Sequence, residues 1–260
     1  MTSVLALVLA ASAFPVADEW VIVDERGVEL SRLKEVGGLR PLTLLPLTEG
    51  RFVLTAISPG EEDPSLWLVS LLGSQRLGHA RGSHQFPTVT ADLKWIYFSY
   101  HPDPRLMGVG REYTQLWRVR LDGSELSQLT ASVGCKLSPT VAGRSVVYAH
   151  ARCGQHTQGL GRLESSRETE TLSASEDFPI EPQLSADGAW LAFGVLRARE
   201  VEVRVAPAKR PEASRVLWSA PRFGSSLHLR WLSAKELMFV HRGELQKVSV
   251  VERAVARRAP

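Results

Sequence analysis

A unit of about 45 residues returns along this chain, and a repeat of that period leaves few folds open. Its clearest copy spans residues 86–130. Residues 88–90, a turn at Ala91-Asp92-Leu93-Lys94, and Trp95-Ile96-Tyr97-Phe98-Ser99 read as a hairpin rich in aromatic and β-branched side chains. Leu116-Trp117-Arg118-Val119-Arg120-Leu121 then alternates apolar and polar, Asp122-Gly123 supplies a tight turn, and residues 125–130 lead back. Four short antiparallel strands per repeat make one blade of a propeller, in which radially arranged sheets protect one another's edges.

Counted by first inner strands, copies fall near Leu42, Thr88, Thr140, Gln183 and His228, at spacings of 46, 52, 43 and 45 residues. The fold expected is therefore all-β, a β-propeller of five or six four-stranded antiparallel blades. Residues 20–33 resemble only an outer pair. Either they donate an outer strand to the C-terminal blade and close a ring of five, or they begin a sixth blade. The 15 prolines and 20 glycines scattered between short apolar runs agree with many turns, and 260 residues suit a single all-β domain. Trp95, Trp117, Trp190 and Trp231 fall in strand patterns and are expected in the blade core. With 31 basic against 28 acidic residues, the surface is too balanced for a nucleic-acid partner, and the basic residues 253–258 read as a solvated tail.

The N-terminus reads as an export signal over residues 1–13, followed by a propeller domain over 14–260. Residues 4–13 form an uncharged apolar run ending in Ala11-Ser12-Ala13, with cleavage expected before Phe14. The n-region lacks Lys or Arg, so the alternative is a true start further upstream or the first strand of a cytosolic domain misread as a leader. The run is too short to span a bilayer, and no transmembrane anchor is expected. Cys135 and Cys153 flank two adjacent strands at the same end of a hairpin, where a disulfide would suit an oxidising compartment. Two unrelated buried thiols are the alternative.

The sequences PQLSADGAWLAF at 182–193 and LWRVRLDGSELSQLT at 116–130 resemble the repeat of the TolB-like β-propellers, relatives of WD repeats. In that family an inner S-P-D-G turn is followed by an outer strand, D-G and then Q-L-T. The copies at 42–77, 140–173 and 228–251 are degenerate. The resemblance implies a periplasmic or secreted propeller that serves as a protein-binding platform. The separate N-terminal α/β domain of that family is not expected here, because blade-like sequence starts at Trp20.

No G-x-S-x-G, H-E-x-x-H, P-loop or dinucleotide fingerprint occurs in the sequence. His101, His150 and His241 each follow the aromatic of a second inner strand and are expected at one rim, where neutral imidazoles from several blades could hold a divalent metal. The alternative is solvent-facing strand ends a blade's width apart. The long insertion between Tyr100 and Thr114 carries His101, Asp103, Arg105, Arg111, Glu112 and Tyr113, where binding residues on a rigid scaffold are expected, the alternative being a variable surface excursion. Arg152 and His156, beside His150, are expected on the same face. The function expected is a non-catalytic, monomeric platform for a protein or peptide in the bacterial envelope, without a cofactor. The alternative is a propeller enzyme on glycans or small molecules, a metal-assisted lyase or hydrolase.

Overall fold

The computed structural model describes residues 11–103, 105, 113–151, 157–164, 167–172, 177–224 and 226–250. They form six antiparallel sheets arranged as a β-propeller. Blade 1 holds β1 (Ala11–Val16), β2 (Glu19–Asp24) and β3 (Glu29–Leu33), and blade 2 holds β4 (Pro41–Pro46), β5 (Phe52–Ala56), β6 (Ser65–Ser70) and β7 (Gly73–Leu77). Blade 3 is β8 (Ser83–Val89), β9 (Trp95–His101), β10 (Gln115–Arg120) and β11 (Ser127–Gln128), and blade 4 is β12 (Cys135–Ala142), β13 (Ser145–Ala151), β14 (Thr157–Glu164) and β15 (Arg167–Leu172). Blade 5 runs through β16 (Phe178–Leu184), β17 (Trp190–Leu196), β18 (Glu200–Pro207) and β19 (Arg215–Pro221), and blade 6 has β20 (Arg230–Ser233), β21 (Glu236–His241) and β22 (Glu244–Ser249). The first strands touch in ring order, from β1 through β4, β8, β12 and β16 to β20 and back to β1.

Two of the recurring turns are built by one local device. Thr90 and Ser185 each hydrogen-bond an aspartate two residues on, Asp92 and Asp187, at 2.6 Å, and each hydroxyl also accepts the backbone N–H of the tryptophan that starts the next strand. Such a short polar side chain replaces a ladder partner at the tip and fixes the hairpin register.

Among the described residues the core is divided into six apolar clusters, one between each pair of neighbouring blades. Because strand side chains alternate, one second strand feeds two clusters. On β2, Trp20 and Ile22 face blade 2 while Val21 and Val23 face blade 6. Both faces are buried, so these strands read as continuous apolar runs. The four tryptophans expected in the core are half-buried, each packed by one face against such a cluster.

The ring closes without a shared strand, which decides between the two closures that residues 20–33 allow. They pair with β1 and make their own blade. Phe14, fully buried, joins Val21 and Val23 against Leu232, Met238 and Val240 of blade 6, and Lys247 Nζ donates to the Arg26 carbonyl at 3.3 Å. The inner strand that blade 1 lacked in the sequence pattern is Ala11–Val16, so cleavage before Phe14 would remove the first half of β1.

Candidate functional site

The first strands line a central channel, and three of them share one irregularity. The pairing of β8, β12 and β16 with their neighbours shifts at Gln85/Thr88, Leu137/Thr140 and Ile180/Gln183. In the skipped segments Phe86, Ser138 and Glu181 adopt left-handed backbone, with φ of 50°, 51° and 47°. His228, just before β20, matches them at 50°. Left-handed backbone at a residue other than glycine costs about 1 to 3 kcal/mol, and a bulge re-aims the side chains around it. All four of these residues line one cavity of about 360 Å³ along the channel.

The two sides of this cavity differ in chemistry. Blades 2 and 3 contribute Leu42, Leu45, Phe86, Pro87 and Val89, of which Leu42 is 50% and Phe86 37% exposed. Blades 5 and 6 contribute Glu181, Gln183, Ser226, His228 and Arg230. Glu181 clamps the two blades together: its carboxylate accepts the Ser226 hydroxyl and the N–H groups of Leu227 and Leu229, the last two at 3.2 Å. Trp231 Nε1 adds a bond to the Gln183 carbonyl at 2.9 Å. The His228 ring lies edge-on to Trp20 at 6.2 Å. Burial pushes its pKa down, the Glu181 charge opposes this and the Arg230 charge reinforces it, which favours the neutral imidazole. Burial also lowers the Arg230 pKa, with Glu181 acting in opposition.

The described residues among those expected from sequence do not line this cavity. His101, His150 and His241 sit near the ends of the second strands of blades 3, 4 and 6. His101 Nδ1 accepts the Asp103 N–H at 3.1 Å, and His241 Nε2 lies 3.2 Å from the Pro221 carbonyl with its ring against Trp218. Among the described residues no three His, Cys, Asp or Glu side chains form a metal-binding group, so these histidines are not brought together. Asp103 pairs with its neighbour Arg105 at 2.9 Å, and hydrogen bonds from Arg105 hold the Asp103 pKa below the usual carboxylate range. Tyr113 is half-buried beside the described end of the insertion. Arg111, Glu112, Arg152, His156 and Cys153 lie outside the described residues. Cys135 is buried at the start of β12, opposite Ala151 of β13, with Sγ 3.4 Å from the Thr114 N–H.

The channel residues were missed in the sequence, although one signal points to them. Phe86-Pro87, Ser138-Pro139 and Glu181-Pro182 stand at the same place in three repeats. A proline repeated inside inner strands marks a bulge rather than a regular ladder.

The described residues thus form a six-bladed β-propeller whose fold is like that of TolB proteins. By sequence, the chain matches no protein-family profile and no curated protein. By structure, it is similar to TolB from Acinetobacter baumannii, with a TM-score of 0.65 and 14% identity over 92% of this chain and 60% of that one. It is also similar to a protein described as TolB from Agrobacterium tumefaciens, with a TM-score of 0.59 and 13% identity over 82% of this chain and 80% of that one. A further likeness is to an oligogalacturonate lyase in complex with manganese, at TM-score 0.51 and 14% identity, covering 85% of this chain and 64% of the lyase. The chain thus spans three-fifths of the Acinetobacter protein, and at these identities the likeness is one of fold.

Proposed function

We propose that this protein is a binding platform that takes an extended peptide segment of a protein partner into its central channel. The observation that carries the proposal is the two-sided channel wall, with exposed Leu42 and Phe86 across from Glu181, His228 and Arg230. Concave sites of a few hundred Å³ with an apolar wall and a few placed polar groups are the usual form of ligand pockets. An exposed phenylalanine held in strained backbone gains from being covered.

Export fits the same proposal. The TolB likeness, the apolar N-terminus and a Cys135–Cys153 disulfide would place the platform in the periplasm or outside the cell. Among the described residues no helix is long and apolar enough to cross a membrane.

The likeness to a manganese-bound lyase supports a second reading, a metal-assisted enzyme acting on glycans. The two separate experimentally. A random peptide library is selected on the immobilised protein and on its Phe86→Glu and Leu72→Glu variants, Leu72 being fully exposed in the turn before β7. The platform predicts retained peptides that Phe86→Glu releases and Leu72→Glu does not. Peptides insensitive to Phe86→Glu, or none, would overturn it.

A further inference from the structure

The charged side of the channel contains a cation with spare hydrogen-bonding capacity. Arg230 lines the cavity and is half-buried, and its side chain makes one hydrogen bond among the described residues, from Nη1 to the Leu229 carbonyl at 2.8 Å. A guanidinium presents five donors in a planar fork. Glu181 is near enough to act on its charge, yet its oxygens are directed to Ser226, Leu227 and Leu229 of the same blade, and no described carboxylate lies within ion-pair distance of Arg230. The Glu181 charge therefore helps to keep Arg230 protonated without filling its fork. A partly desolvated cation whose donors face a cavity is stabilised most by an acceptor arriving in that cavity.

We propose that Arg230 recognises a carboxylate on the bound ligand, so that the channel selects acidic peptide segments. This rests on the platform reading above and names its ligand chemistry. A planar carboxylate matches the fork in a bidentate manner. A monoanion is also favoured over a doubly charged phosphate, because Glu181 repels each added negative charge. The apolar wall formed by Leu42 and Phe86 stands across the channel and receives residues flanking the acid, which free small acids lack.

The test uses the full chain labelled with nitrogen-15, following the Arg230 Nε–H resonance, which is assigned by its loss in Arg230→Lys. Probes are a blocked pentapeptide pool with a fixed central Asp, the same pool with Asn, and sodium acetate. We expect a saturable shift with the Asp pool, at least about ten-fold weaker response to the Asn pool, and the same shift by acetate only at far higher concentration, since each tenfold corresponds to about 1.4 kcal/mol of selectivity. Arg230→Gln, checked as folded by its circular dichroism, should lose the preference of the chain for the Asp pool. Equal response to Asp and Asn pools, no response to any carboxylate, or a preference that survives Arg230→Gln would overturn the proposal. Acetate saturating below the peptide concentration would overturn the peptide source. Retention of peptides sensitive to Phe86→Glu but indifferent to Arg230→Gln would leave the platform standing and remove the carboxylate site. An acetate response without any peptide retention would do the reverse.

Discussion

His84 ties the stability of this propeller to pH. It is fully buried in β8, its Nε2 accepts the His79 N–H at 3.0 Å, and its ring lies 5.0 Å from Tyr100 and 5.4 Å from Phe98. Nε2 as acceptor puts the ring proton on Nδ1, so a second proton would set two N–H groups against each other. Burial, reinforced by the neighbouring His79, lowers the pKa from 6.5 to about 4. In the unfolded chain the imidazole takes its proton first, so the folded state is at full strength above pH 6.5 and loses stability as pH falls toward about 4. The whole gap is on the order of 3 kcal/mol, and by about pH 4.5 roughly 2.5 kcal/mol of it is gone. His79, whose pKa burial also lowers, acts with the same sign. The perturbation is His84→Gln, whose side-chain oxygen can still accept from His79 but cannot titrate. Urea unfolding at about pH 7 and about pH 4.5 gives the loss for each protein. The wild type should lose about 2.5 kcal/mol more than the variant. An equal loss in both would refute the claim that His84 is held neutral by its burial.

Other consequences are equally direct. Phe14→Ala removes the aromatic that joins blade 1 to blade 6 and should cost about 3 to 5 kcal/mol in urea unfolding, whereas an effect under about 1 kcal/mol would mean that the ring is closed by something else. Glu181→Ala leaves the Leu227 and Leu229 N–H groups without their acceptor and should cost about 1 to 3 kcal/mol, with hydrogen exchange rising at those two amides first. Non-reducing peptide mapping should find Cys135 linked to Cys153, and reduction should lower stability by about 2 to 4 kcal/mol; two free thiols in protein from an oxidising compartment would refute the pairing. Metal analysis of chelator-free protein tests the enzyme reading, which requires stoichiometric metal that is lost when His101, His150 and His241 are all changed to Ala.

What was legible in the sequence is what is local. Strand alternation, the Thr90–Asp92 and Ser185–Asp187 turns and the period of the repeat are each written within a few residues, and they led directly to the blades. The number of blades was not legible, because Ala11–Val16 is apolar on both faces. A strand buried between blades 2 and 6 on either side has the same composition as the apolar core of a leader. The channel was hidden for a different reason. It draws its lining from five blades that are far apart in sequence, and a left-handed φ at Phe86 or Ser138 is a backbone property that side-chain pattern does not spell out. The histidines have the chemistry of converging ligands, yet they stand near second-strand ends, where His101 accepts from Asp103 of its own blade and His241 lies against Pro221 and Trp218 of blade 5.

The most direct test of the central claim is a contact map of the channel with peptides selected from a random library. A photoreactive residue replaces Phe86 in one protein and Leu72, on the outer turn, in another. The account predicts that selected peptides crosslink at position 86, do not crosslink at position 72, and are displaced by an excess of the same peptide unlabelled. Crosslinking at position 72 with none at position 86 would contradict it.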